Sequence, residues 1–153
     1  MKVEYINPFI ESTLKSLEMM AQISATRDDL SLKQDLITTY DISSIVSLNG
    51  EVEGSIIISM PQALACKVSS NLLMEECTEV DQNVQDAIGE MGNIIVGDAR
   101  RALVALGKNV TISLPNIVLG KGHVISRKGI PCIAIPFNTE FGPFEVNVGL
   151  KET

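Results

Sequence analysis

The chain has no tryptophan, and its 153 residues include only two Tyr and four Phe. A core built here must therefore be aliphatic, drawn from Ile, Val, Leu and Met. There is one histidine, His123, and there are three widely spaced cysteines, Cys66, Cys77 and Cys132. An odd cysteine count without a CxxC pair argues against a disulfide framework or a structural zinc site. The expectation is reduced, mostly buried thiols in the cytoplasm. Positive charge is scarce: 12 Lys and Arg stand against 19 Asp and Glu, for a net charge of −7. The densest basic cluster is Arg100-Arg101, far short of the basic surface a nucleic-acid binder needs. No apolar run approaches the roughly 20 residues of a membrane span. The N-terminus has no basic segment followed by an apolar one, so no signal peptide is expected.

What remains is ordinary for a folded domain, at 45% hydrophobic and 20% charged. The length predicts a single domain over 1–153. Asn7-Pro8 opens a helix from about Phe9 to Ile23, with Ile10, Leu14, Leu17 and Ala21 stepping by three and four. A strand is expected within Leu30 to Leu36. The stretch "DISSIVSLNGEVEGSIIISMP" predicts a hairpin with a two-residue turn at Asn49-Gly50. Its second arm, Gly54 to Met60, reads as a central strand buried on both faces. Pro61 starts a second helix, "QALACKVSSNLLM", with Leu64, Val68 and Leu72 on one side. Asp81 caps a long helix to about Leu106, stopped by Gly107. The tail reads as strands, "NVTISLP", "IPCIAIPF" and "PFEVNVGL", with a loop between Pro136 and Pro143. Helices interspersed with hairpins, without a βαβ rhythm, predict an α+β fold with helices packed on a mostly antiparallel sheet.

The long helix contains "DAIGEMGNIIVGDARRAL", in which Gly89, Gly92 and Gly97 each cost about 0.8–1.0 kcal/mol relative to Ala. With Gly89 at zero and about 100° per residue, Asn93 falls near 40°, Asp86 near 60°, Gly97 near 80° and Glu90 near 100°. Val84, Ile88, Met91, Ile95, Ala102 and Leu106 cluster at roughly 200–260°. The core stripe is then complete without the glycines. Gly89 and Gly97 are expected on the outward face either side of Asn93, with Gly92 at its edge. Glu90 and Asn93, spaced i, i+3, point the same way. A carboxylate can grip a cation and an amide can orient a water. There is no neighbouring nucleophile and no metal-ligand cluster, so the pair suits a reactive phosphate carried by another protein. The plain alternative is a solvated polar face with glycines serving internal packing.

These residues resemble the signature of the CheC/CheX/FliY phosphatases of bacterial chemotaxis: an acidic or Ser residue, then Glu, then Asn, then a Pro well downstream. Here they are Asp86, Glu90, Asn93 and Pro115. The hairpin "LNGEVEGSIIISMP" and the C-terminal strands extend the likeness over nearly the whole chain. The first helix carries no second signature, since Glu11 is followed at i+3 by Leu14 and Glu18 by Ala21. One signature and no appended switch domain resemble the CheX members, which form homodimers through the sheet. The resemblance implies hydrolysis of the aspartyl phosphate on a CheY-type response regulator. Glu90 would salt-bridge a lysine in the regulator's active site, and Asn93 would orient the attacking water. Mg²⁺ would be held by the regulator, and no cofactor by this chain. Asp86, Gly89, Gly92 and Gly97 would form the docking face.

Other residues carry less. His123 in "LGKGHVIS" reads as a surface residue and "GKG" as a turn. Glu75-Glu76 with Glu79 reads as a solvated linker, and Met19, Met20 and Met91 as core filler. Two rival readings remain open: a non-catalytic module that docks on a regulator or signalling complex, and a structural dimer whose glycine face packs on its own sheet.

Overall fold

A computed structural model describes residues 3–125 and 130–153. The described residues form three helices, α1 (Val3–Ala21), α2 (Gln62–Leu73) and α3 (Gln82–Ala105), and eight strands. The strands are β1 (Thr26–Arg27), β2 (Ser31–Lys33), β3 (Ile42–Gly50), β4 (Val52–Met60), β5 (Val110–Ile112), β6 (Asn116–Leu119), β7 (Cys132–Thr139) and β8 (Gly142–Glu152). They make one sheet in the order β1-β7-β8-β4-β3-β5, with β2 also on β7 and β6 also on β3. Every strand pairing among the described residues is antiparallel, as the α+β reading expects.

Alternation along the central strands sends one set of side chains to the helices. Val46, Ile56, Ile58, Val146 and Val148 are all buried there with Leu64, Ile88 and Met91. The opposite face is also covered. Leu36, Ile45, Ile57 and Cys132 form a second cluster beneath the segment between β2 and β3. The Tyr40 N–H donates to the Ser59 hydroxyl at 2.9 Å, which ties that segment down. This explains why β4 is buried on both faces, and why Glu145 and Asn147, the polar positions of β8, are buried too.

Several expectations are corrected locally. Helix α1 begins at Val3, with Pro8 inside it. The proline removes one intrahelical hydrogen bond. Burial of Tyr5, Ile6 and Phe9 in the same turns offsets that loss. The β3–β4 register pairs Leu48 with Gly54, centring the turn on Glu51. Asn49 belongs to the strand, held opposite Thr111 of β5. The expected loop after Pro136 is instead a tight hairpin, with Thr139 paired to Gly142. Met19 is 69% exposed and Leu106 46% exposed, so neither is core.

Caps fall where the sequence places them. The Asp81 carboxylate accepts from the Val84 N–H at 3.0 Å. Gly107, at φ 86°, ends α3. At Pro61 the helix start borrows a cap from the segment between β2 and β3: the Asp41 carboxylate accepts from the Gln62 N–H at 2.8 Å.

Candidate functional site

The site is made by how α3 lies on the sheet edge. Gly89 and Gly92 face inward, not outward. A Cβ on Gly92 would collide with the hydroxyl of Ser44 on β3. A Cβ on Gly89 would touch Pro115 Cγ and Ile117 Cδ1, each at 3.6 Å. Both glycines are buried, while Gly97 is half-buried, with Ile112 Cδ1 3.9 Å from where its Cβ would stand. The outward position expected of Gly89, and the edge position expected of Gly92, are therefore corrected: both let the α3 backbone settle onto β3 and β6. The aliphatic periodicity understated the buried arc because a glycine adds no hydrophobic mark to it.

Pro115 has a matching reason for its position. Proline cannot donate to a sheet ladder. The edge alongside β3 breaks into β5 and β6, with Ser113, Leu114 and Pro115 between them. Ser113 keeps the break attached: its N–H donates to the Ser47 carbonyl at 2.9 Å, and its hydroxyl accepts from the Ser47 N–H at 3.0 Å. Pro115 is thereby placed beside Gly89, one turn before Asn93.

On the outer arc of α3, Asp86 and Glu90 are exposed and Asn93 is half-buried. The Gln82 amide donates to the Asp86 carboxylate at 2.8 Å. Neither Glu90 nor Asn93 has a hydrogen bond or ion pair from its side chain to any described residue. The carboxylate and the amide are thus presented side by side, free for a ligand. The rest of α3 holds this helix in place: Ile88, Met91, Ile95 and Val96 are buried, and the Ser12 hydroxyl of α1 donates to the Ile95 carbonyl at 2.7 Å.

The arc has a flank that the sequence reading missed. Leu72, Leu73, Asn83, Asp86, Ala87 and Glu90 line an open cavity of about 440 Å³ between the end of α2 and α3. Leu73 is 42% exposed and Met74 91% exposed. Met74 closes α2 in the left-handed region, at φ 56° and ψ 37°. That conformation costs an L-residue roughly 1–2 kcal/mol. The available signal was that Leu73 and Met74 fall off the stripe made by Leu64, Val68 and Leu72.

The remaining candidates stay outside this site. His123 is exposed, its ring 3.2 Å from the Leu119 carbonyl. Cys66 and Cys132 are buried and Cys77 half-buried, all free. Burial pushes the Cys66 and Cys132 thiols above their ordinary range. Among the described residues, no helix is long and apolar enough to cross a membrane, and no cluster of three His, Cys, Asp or Glu side chains could hold a metal.

A family model described as chemotaxis phosphatase CheX matches residues 42–138. The chain belongs to the CheX family. Asp86, Glu90, Asn93 and Pro115 all lie inside the matched stretch. The chain is 28% identical over 131 residues to the CheY-P phosphatase CheX of Thermotoga maritima, covering 85% of this chain and 84% of that one. It is similar to the structure of CheX from Desulfovibrio desulfuricans, at 32% identity and a TM-score of 0.87, covering 98% and 99% of the two chains. It is also similar to the CheX in a CheX–CheY–BeF3–Mg²⁺ complex from Borrelia burgdorferi, at 32% identity and a TM-score of 0.79, covering 99% and 100%. The CheX fold thus spans the three helices and the antiparallel sheet described above.

Proposed function

We propose that this CheX-family protein is a phosphatase that hydrolyses the aspartyl phosphate of a CheY-type response regulator. The observation that carries the proposal is the unpartnered Glu90–Asn93 pair, held at the rim of α3 by glycine packing beneath it. A water on the Asn93 amide attacks phosphorus in line with the bond to the regulator's aspartate. The phosphorus–oxygen bond breaks, the aspartate leaves as a carboxylate, and inorganic phosphate forms. Phosphoryl transfer of this kind needs positioning and charge rather than a covalent nucleophile. Glu90 takes a lysine of the regulator as an ion pair, which fixes the amide over the phosphoryl group. In this reading Mg²⁺ is held by the regulator, where it neutralises phosphoryl charge.

A non-catalytic docking module would have no use for an unpaired amide at this point. The two readings separate in one experiment. Phosphate loss from a phosphorylated CheY-type regulator is timed with the wild-type protein and with Asn93→Ala. The phosphatase reading expects turnover to vanish while complex formation persists. Dephosphorylation at the spontaneous pace with wild-type protein leaves the docking module. We also propose that the protein works in the cytoplasm, in keeping with its free thiols, and pairs as a homodimer through an unpaired sheet edge. Sedimentation of the free protein tests the pairing.

A further inference from the structure

We infer that the apolar end of α2, Leu73 and Met74, is a docking wall for the response regulator, setting affinity without taking part in the chemistry. The inference rests on the phosphatase reading, because it assigns the same partner to a surface continuous with the Glu90–Asn93 pair. That continuity is geometric at Leu73, which lines the same cavity as Asp86 and Glu90; Met74, next in the chain, lines the adjoining groove with Cys66, Lys67 and Phe141. A regulator that brings its phosphoaspartate against Glu90 and Asn93 covers the mouth of that cavity as well.

Met74 supplies the second observation. It combines a left-handed backbone with a side chain that is 91% exposed. Glycine is the residue that ends a helix this way without strain. Among the described residues, the other non-glycine residue of this kind is Gln22, at the end of α1; it is polar, and its amide donates to the Met19 and Met20 carbonyls at 3.4 Å. Met74 has no such compensation, since its side chain is apolar and faces water. A flexible thioether beside a half-exposed leucine is a surface suited to an apolar patch on another protein. The acidic rim of Asp86 and Glu90 assigns that patch a basic border. The occupant is thus the regulator surface bordering its phosphoaspartate, apolar at its centre with Lys or Arg at its edge. Burying this wall also excludes water from around the neighbouring polar pair.

The test uses the CheY-type regulator that the wild-type protein dephosphorylates fastest, loaded with beryllofluoride and Mg²⁺. Its affinity is measured for wild type, Met74→Gly, Leu73→Ser, Asn93→Ala and, as a control, Leu32→Ser on β2. Met74→Gly is expected to raise Tm by roughly 2–4 °C by relieving the backbone. It should also weaken binding by about 5- to 10-fold. Leu73→Ser should weaken binding to a similar degree, and the turnover rate should recover at saturating regulator for both variants. Leu32→Ser should bind as wild type does. Wild-type affinity in both α2 variants, with turnover lost in Asn93→Ala, overturns the wall and leaves the phosphatase reading intact. Phosphate loss at the spontaneous pace with the wild-type protein overturns the phosphatase reading itself, and full turnover in Asn93→Ala overturns the role given to Asn93. A wild-type dimer that Leu73→Ser splits, at unchanged regulator affinity, assigns the wall to a second copy of this chain and overturns the inference.

Discussion

Helices α1 and α3 pack against one another above the same sheet, yet only one of them presents a usable carboxylate–amide pair. Both carry exposed glutamates on their outer faces. In α1 the residue three positions after Glu11 is the half-buried Leu14, and the one after Glu18 is the buried Ala21. In α3 the residue three positions after Glu90 is Asn93, at the rim. The difference lies beneath. Buried contacts of α1 are made partly by Ser12, Thr13 and Ser16, and the Thr13 hydroxyl donates back to the Phe9 carbonyl of its own helix at 2.6 Å. Helix α3 meets the sheet with Gly89 and Gly92 and sinks between Ser44 and Pro115. The glycines serve the site from below, by setting the height of the helix, rather than by clearing space above it.

The largest break in this comparison is expected at the amide. Asn93→Ala should lower kcat by about 10²–10³-fold, the range seen when one positioned hydrogen-bonding group is removed from a reaction centre. Thermal melts should stay close to wild type, because the side chain bonds nothing within the described chain. Gly92→Leu attacks the packing instead. The new side chain collides with Ser44 and Ile58, and chemical denaturation should show a loss of about 3 kcal/mol. Activity of any folded fraction then reports whether the height of the helix governs the pair. Glu90→Gln keeps the shape and removes the charge. Its KM for phosphorylated regulator should rise about 10-fold, and the salt dependence of KM should flatten. Gly97→Ala should stabilise the protein by about 1 kcal/mol, since the added methyl meets only Ile112 at ordinary distance. Reduced regulator affinity in that variant would assign Gly97 to the docking face. Leu14→Asn, made in the Asn93→Ala background, sharpens the contrast most finely. It sets an amide three positions after Glu11 on α1, and it should restore no turnover.

Much of the fold was legible in the chain because its elements carry strong local marks. Asp81 and Gly107 bound α3 by cap chemistry that needs no tertiary help. The alternation of Phe144, Val146, Val148 and Leu150 declared one buried face of β8. It could not declare that Glu145 and Asn147 are buried too, because the segment that covers them lies more than a hundred residues earlier in the chain. Strand β6 escaped notice since four residues beside a proline carry too little pattern. In the candidate site, Glu90, Asn93 and Pro115 were legible as a motif. The inward aim of Gly89 and Gly92 was not. A residue without a side chain leaves no trace in hydrophobic periodicity, and only Ser44 and Pro115, brought in from the sheet, reveal which way it faces.

Strand β8 lies in the middle of the sheet, between β7 and β4, and it is made after every other element described. During synthesis, β4 and β7 must wait as open edges until Gly142–Glu152 leaves the ribosome. A nascent chain stalled before that point has the signature helix and its seat on β3 and β6, yet lacks the strand that joins β4 to β7. The hazard of that design is an adhesive, half-built sheet during the interval.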